Sequence, residues 1–194
     1  DGGTGNDTIR IGNDLSLGSW NYGSASFGNT VKNFESYILD SWTYSFVLGN
    51  QAAGSGDTIS IDVSNTSQGV FQVSNDFLGN INFTGTAVPN SGGKDEVILG
   101  AGNDVVNLYL GDDIVTGGAG NDTIDGGLGT DIAIFSGNKS NYSITETGYA
   151  QYQVVDNQGT DGTDTLSNIE TLRFSDQNFD ITPSGQTLEG DSSA

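Results

Sequence analysis

Aspartate recurs every nine residues through one part of this chain, and no other feature constrains its fold so strongly. The five regularly spaced positions are Asp95, Asp104, Asp113, Asp122 and Asp131. A glycine stands two residues before each of them and a small apolar residue two residues after, as in residues 117–125, GGAGNDTID. A short fixed period is typical of a solenoid, in which each copy of the repeat stacks on its neighbours.

Each nine-residue copy predicts a glycine-rich turn of six residues followed by a strand of three. The middle residue of each strand is apolar and is expected to point inward, at Val97, Val106, Val115, Ile124 and Ala133. Two copies complete one coil, so alternate turns stack on the same side of the solenoid. The carboxylates are therefore predicted to form two columns, one with Asp95, Asp113 and Asp131 and the other with Asp104 and Asp122.

The charge of the chain favours a cation between those turns. The 194 residues include 25 acidic and 5 basic side chains, which gives a formal net charge of −20, so the compact chain repels itself. A hard cation between stacked turns receives carboxylates and backbone carbonyls from both, the oxygen shell that Ca²⁺ prefers. A metal-free stack with solvated turns is the alternative for the fold. Mg²⁺, which demands a stricter octahedron, is the alternative for the ion.

These copies resemble the RTX, or hemolysin-type, calcium-binding nonapeptide. The clearest copies are residues 117–125 and 126–131, and a further copy, GGTGNDTIR, occupies residues 2–10. The resemblance implies several Ca²⁺ ions, each shared by successive turns. The residues predicted to line these sites are Gly3, Gly5, Asp7, Asp95, Gly100, Gly102, Asn103, Asp104, Gly111, Asp112, Asp113, Gly118, Gly120, Asn121, Asp122, Gly127, Gly129 and Asp131, with Asp14, Asp161 and Asp164 as further candidates.

The predicted fold class is all-β, a parallel β-roll or β-helix with calcium-binding turns and a small antiparallel cap. The roll is expected to cover residues 1–134, with regular nonapeptides at 2–10 and 90–134. Residues 11–89 lack the nonapeptide, but apolar residues alternate in stretches such as 59–63, which predicts strands. These strands are either irregular rungs of the same solenoid or a separate inserted β domain.

The nine-residue pattern stops after residue 134, and residues 135–182 are predicted to form the cap. Residues 141–156 read as two strands around a turn at Gly148, an antiparallel hairpin, and such a cap covers the strand edges at the end of a solenoid. Residues 135–174, from FSGN to DGTDTLSNIETLRF, resemble the segment that ends many RTX proteins exported by type I secretion. Residues 183–194 are expected to be a flexible tail, where the resemblance places a secretion signal if Ala194 is the natural end.

Two copies of the pattern Ser-Trp-x-Tyr lie 22 residues apart and place Trp20 with Tyr22 and Trp42 with Tyr44. On a strand, residues two positions apart share a face. The four rings therefore form either a platform for a surface glycan or an inward ladder that fills the core, and burial of large aromatic rings favours the ladder.

The acidic charge also excludes several classes of function. It repels nucleic acid and anionic membranes, and a chain without His or Cys has neither a histidine-based triad nor a thiolate zinc site. We therefore expect no catalysis by these residues. The chain begins at Asp1 inside a repeat, so we expect it to be part of a larger protein.

The resemblance to RTX proteins implies a calcium-binding module that folds outside the cell and supports type I secretion of a large surface adhesin. The expected partner is the type I secretion machinery, with a surface glycan as a second candidate. The chain is expected to be a monomer that is secreted or held on a bacterial cell surface, where adhesins serve cell adhesion and biofilms. A carbohydrate-binding adhesin domain and a non-catalytic C-terminal module of a secreted enzyme are the alternatives.

Overall fold

Short β-strands make up most of the structure, a computed structural model that describes residues 8–12, 25–27, 36–40, 43–48, 57–66, 68–73, 77–88 and 93–181. Within these ranges the helical structure is a single 3-10 turn at Lys139–Asn141. No helix among the described residues is long and apolar enough to cross a membrane. The abundance of Gly and Asp, which favour turns over helix interiors, accounts for this architecture.

The strands form two sheets. In spatial order, the first sheet contains β1 (Thr8–Gly12), β3 (Ser36–Asp40), β5 (Thr58–Asp62), β7 (Asn80–Thr84), β9 (Val105–Asn107), β11 (Thr123–Asp125), β15 (Thr163–Ser167), β14 (Gln151–Asp156) and β13 (Tyr142–Gly148). The second contains β17 (Asn178–Asp180), β16 (Thr171–Arg173), β12 (Ile132–Ile134), β10 (Ile114–Thr116), β8 (Asp95–Ile98), β6 (Gln68–Val73), β4 (Thr43–Leu48) and β2 (Ala25–Phe27).

From β1 to β12 the chain alternates between the two sheets, and each strand pairs in parallel with the strand two before it. One odd-numbered and one even-numbered strand therefore make one coil of a two-sheet solenoid. This arrangement confirms the predicted fold class, an all-β parallel roll.

The coils have one size in the nonapeptide region and are larger and variable before it. In the nonapeptide region, Val97 pairs with Val115 and Val106 pairs with Ile124, an offset of 18 residues. The strands over residues 58–84 belong to the same two sheets, since β6 pairs with β8 and β7 with β9. Their coils are wider, with offsets of 23 and 26 residues at the hydrogen bonds that join them to the first nonapeptides.

The core lies between the two sheets and changes in width along the solenoid. In the nonapeptide coils it holds the inward residues that the sequence predicts, which are at most 2% exposed: Val97, Val106, Val115, Ile124 and Ala133. In the wider coils it holds Phe71, Phe77 and Phe83, all fully buried, with the rings of Phe71 and Phe83 5.2 Å apart. The longer turns accommodate these larger side chains.

The cap continues both sheets before the chain reverses. Strands β15 and β16 add in parallel to β11 and β12, and β13, β14 and β17 then add antiparallel strands at the ends of the sheets. The rings of Phe135, Tyr142 and Phe174 pack against one another with centroids 4.9–5.4 Å apart. This cluster closes the core at the end of the roll.

Candidate metal centre

The turns that carry the regularly spaced aspartates stack in two columns. The first column contains Asp104 and Asp122, and the second contains Asp95, Asp113 and Asp131. Backbone N–H groups donate to the carboxylate 18 residues later, from Asp104 to Oδ1 of Asp122 at 2.8 Å and from Asp95 to Oδ1 of Asp113 at 2.7 Å. The N–H of Asp113 donates in the same way to Oδ1 of Asp131 at 2.8 Å. These bonds fix each carboxylate against the preceding turn.

These buried carboxylates are only half satisfied. Oδ2 is buried and has no hydrogen-bond partner in Asp104, Asp113, Asp122 and Asp131, and each of these residues is at most 1% exposed. A buried acceptor without a partner costs about 1–3 kcal/mol, and more when it is charged. Each of these turns therefore presents an oxygen atom that a cation would stabilise.

Burial also raises the pKa of the four carboxyl groups. The pKa is about 7 for Asp104, Asp113 and Asp131 and about 6 for Asp122. Loss of hydration is the largest cause in each case, the hydrogen bond from the preceding turn lowers the pKa, and neighbouring carboxylates raise it further. A bound cation favours the charged form, so metal and proton compete for these oxygens.

Glycine lets successive turns approach closely. Gly120 has a φ of 128°, which residues with a Cβ rarely adopt, and a Cβ there would overlap the carbonyl oxygen of Gly102. Gly129 stands in the same relation to the carbonyl oxygen of Gly111. Carbonyl oxygens of one turn are therefore directed at the turn that follows.

A second set of hydrogen bonds holds the turns in register. Oδ1 of Asn103 accepts the backbone N–H of Asn121 at 2.8 Å, and Oδ1 of Asp112 accepts that of Thr130 at 2.9 Å. On the exposed side of the turns, these bonds occupy side-chain oxygens of two predicted site residues, Asn103 and Asp112, and the backbone N–H of a third, Asn121. We infer that Asn103 and Asp112 shape the turn with their side chains.

The donor set fits a hard cation. Among the described residues, no three acidic side chains come together as a cluster that could hold a metal ion. Carboxylates alone therefore do not complete a coordination shell, and the glycine carbonyl oxygens that face the next turn are available as further ligands. An oxygen-only shell of few carboxylates and several carbonyls suits Ca²⁺, which accepts 6–8 such ligands in flexible geometry.

Asp95 differs from the other aspartates of its column because protein groups satisfy both of its carboxylate oxygens. Oδ1 accepts the N–H of Gly69 at 3.0 Å and the hydroxyl of Thr86 at 3.1 Å, and Oδ2 accepts the N–H of Thr86 at 2.8 Å. Both residues that supply these three donors come from the wider coils. The second column therefore begins at a carboxylate that is anchored by hydrogen bonds.

The two further candidates in the cap lie in different surroundings. Asp164 lies in line with the first column, and its Oδ1 accepts the N–H of Asp122 at 2.9 Å. Asp161 accepts hydrogen bonds from the N–H and the hydroxyl of Ser136 and from the hydroxyl of Tyr142, at 2.6–2.8 Å. The carboxylate of Asp161 therefore serves the internal packing of the cap.

Sequence reasoning missed the residue that ends the second column. Oε2 of Glu170 accepts the N–H of Asp131 at 2.7 Å, in the position that the next aspartate of the column would occupy. Glu170 is 39 residues from Asp131 and follows no nonapeptide pattern. No signal in the sequence identifies it, because the intervening hairpin sets the offset.

Several predicted site residues lie outside the described part of the chain. These are Gly3, Gly5, Asp7, Asp14, Trp20, Tyr22 and Trp42. Tyr44 lies in β4, but its side chain is also outside the described part. The predictions for a calcium site near the start of the chain and for an aromatic platform therefore stay predictions.

The RTX calcium-binding nonapeptide repeat matches this chain in four copies, over residues 91–106 and 99–133. Both columns from Asp95 to Asp131 lie within the match. No curated protein matches the chain. The matched repeat binds several Ca²⁺ ions, which confirms the predicted cofactor. It is a structural, non-catalytic calcium-binding repeat that is typical of secreted proteins.

Proposed function

We propose that this chain is a folding module that responds to calcium: it leaves the bacterial cell unfolded and folds when it meets Ca²⁺ outside. The observation that carries the proposal is the set of four buried Oδ2 atoms without partners, stacked between glycine turns. Without an ion, folding leaves these carboxyl groups either charged and unpaired or protonated. With an ion, they are satisfied.

The energies are large enough for folding to depend on the ion. A site with a Kd near 10⁻⁴ M, at a hundredfold higher free calcium, stabilises the folded state by about 2.7 kcal/mol. Three or four such sites contribute roughly 8–11 kcal/mol, comparable to the whole stability of a domain. The net charge of −20 opposes compaction in calcium-poor surroundings.

Circular dichroism tests calcium-dependent folding directly. In EGTA the chain is expected to lack the β spectrum, and millimolar Ca²⁺ is expected to restore it. Mg²⁺ at the same concentration serves as the control and should leave most of the chain unfolded, since Mg²⁺ gives up its waters reluctantly. A β spectrum that persists in EGTA would overturn the proposal.

The finer form of the proposal is that the chain supports type I secretion of a large surface adhesin. The segment 135–174, which resembles the end of many RTX proteins exported by this route, supports it. Coexpression with a type I exporter tests it, and the chain is expected to appear in the medium. Deletion of residues 183–194 should keep the chain in the cell, and equal export of both forms would place the signal elsewhere.

A further inference from the structure

The first column continues beyond the last nonapeptide into the cap. Residues 162–164, Gly-Thr-Asp, stack on residues 120–122, Gly-Asn-Asp. The N–H of Asp122 donates to Oδ1 of Asp164 at 2.9 Å, and the N–H of Thr163 donates to Oδ1 of Asn121 at 2.8 Å. The same two hydrogen bonds join residues 102–104 to residues 120–122. The cap therefore supplies one more turn of the column.

The backbone of this cap turn repeats the geometry of a nonapeptide turn. Gly162 has a φ of 81°, and a Cβ there would overlap the carbonyl oxygen of Gly120. The strand that follows also keeps the register of the roll, since Leu166 pairs with Ile124 and both are buried. The chain departs for 42 residues between the two turns and returns to the equivalent position.

One buried oxygen atom without a partner belongs to the roll turn on which the cap turn stacks. Oδ2 of Asp122 is buried and has no hydrogen-bond partner, and Asp122 and Asp164 are 1% and 3% exposed. Two buried carboxylates in adjacent turns repel each other, and the carbonyl oxygen of Gly120 adds a third partly negative atom. A divalent cation would offset this repulsion.

We propose that Ca²⁺ binds between the turn at 120–122, inside the region that matches the nonapeptide repeat, and the turn at 162–164, outside that region. The carboxylates of Asp122 and Asp164 hold it, with carbonyl oxygens of the two turns. The ion fastens the cap to the roll, so docking of the cap depends on calcium. This proposal rests on the proposed function and adds to it a site that bridges two parts of the fold.

Asp164→Asn tests the site. The amide keeps an oxygen for the Asp122 N–H but removes the charge. Equilibrium dialysis with radioactive Ca²⁺ should show one ion fewer than in the unmodified chain, with the remaining sites unchanged in Kd. Asp180→Asn, at an exposed carboxylate of the cap, is the matched control and should keep the full number. An unchanged number and Kd in Asp164→Asn would overturn the proposal.

Asp161→Asn separates loss of an ion from loss of cap structure. Asp161 lies three residues before Asp164, but its oxygens bond to Ser136 and Tyr142. The Asp161→Asn variant is expected to have a less stable cap, while the number of bound ions at saturating calcium stays the same. If Asp161→Asn loses the same ion as Asp164→Asn, the ion reports on cap folding alone and the proposed coordination by Asp164 is wrong.

A crystal structure of the unmodified chain with calcium decides the question without a variant. An anomalous peak within about 2.3–2.6 Å of oxygens from both Asp122 and Asp164 is expected, and its absence beside occupied sites between Asp104 and Asp122 would overturn the inference. A chain that binds no calcium anywhere would instead overturn the proposed function. The two failures are therefore distinguishable.

Discussion

The hydroxyl of Tyr142 donates a hydrogen bond of 2.6 Å to Oδ2 of Asp161, and both residues are buried in the cap. Burial, and then the neighbouring Asp161 carboxylate, raise the pKa of Tyr142 to about 12. Tyr142 therefore stays a donor at every physiological pH. The pair connects the start of the β13–β14 hairpin to the loop that leads into β15.

Tyr142→Phe removes this bond and the bond that the hydroxyl accepts from the N–H of Gly137 at 2.9 Å. Oδ2 of Asp161 then keeps a single donor, the N–H of Ser136. The free energy of unfolding in saturating calcium is expected to fall by about 1–3 kcal/mol, measured by urea denaturation. Tyr149→Phe, at an exposed ring, is the control and should change it little. Equal stability of the two variants would mean that the hydrogen bonds of the Tyr142 hydroxyl contribute nothing.

Asp113→Asn keeps an oxygen for the N–H of Asp95 and removes the charge from one turn of the second column. The calcium concentration at the folding midpoint is expected to rise at least about tenfold, a change of about 1.4 kcal/mol. A calcium titration followed by circular dichroism measures it. The control is Glu96→Gln, at an exposed acid in the adjacent strand β8. A midpoint equal to that of the control would contradict a metal role for Asp113.

Gly120→Ala places a Cβ against the carbonyl oxygen of Gly102 and forces alanine to a φ of 128°. Strain of this kind costs about 1–3 kcal/mol before the clash is counted, so thermal unfolding in calcium should begin at a clearly lower temperature. At Gly148 an added Cβ meets only the side chain of Gln151 within contact distance. Gly148→Ala is therefore the control, and an equal effect in both would argue against close stacking of the turns.

The raised pKa values predict that a rise in pH destabilises the calcium-free fold and strengthens calcium binding. The pKa is about 7 for Asp104 and about 8 for Asp164, above the usual value near 4. These groups bind a proton more tightly in the folded chain than in the unfolded chain, so protonation stabilises the fold. Without calcium, their contribution to the free energy of unfolding is fully present below about pH 4 and is lost as the pH rises through 7–8.

In calcium-depleted buffer, where the chain is expected to be largely unfolded at pH 8, circular dichroism is therefore expected to show a larger folded fraction at pH 5. Calcium affinity should change the other way and rise from pH 5 to pH 8, because the ion must displace the proton. Calorimetric titration at the two pH values measures it. Affinity that does not vary with pH would show that the titrating carboxyl groups are not ligands.

The sequence predicted the nonapeptide coils well because their register depends on a strict period. Val97, Val115 and Ala133 form one inward row, as the spacing of nine indicated. The turn geometry also follows locally, since glycine alone relieves the overlap between stacked turns. A strict repeat period is therefore enough to predict which residues of successive coils contact one another.

The ends of the columns could not be predicted from the sequence, because no fixed period sets the spacing of their residues. The residues Gly162, Thr163 and Asp164 have the same G-x-D pattern as a nonapeptide, but the offset of 42 residues is not a multiple of nine. Thr86 satisfies Asp95 from a wide coil, whose length no repeat fixes. Such pairings depend on how far a loop extends before the chain returns.

The hydrogen bonds to the carboxylates of both columns run in one direction along the chain. The earlier turn donates its N–H and the later turn supplies the carboxylate, from Asp95 and Asp104 to Glu170 and Asp164. A roll cut short at any turn therefore leaves an open donor on its C-terminal face. The solenoid therefore has a polarity, because each turn has an unsatisfied N–H until the next turn is added. In the cap, Glu170 and Asp164 accept the last N–H group of each column.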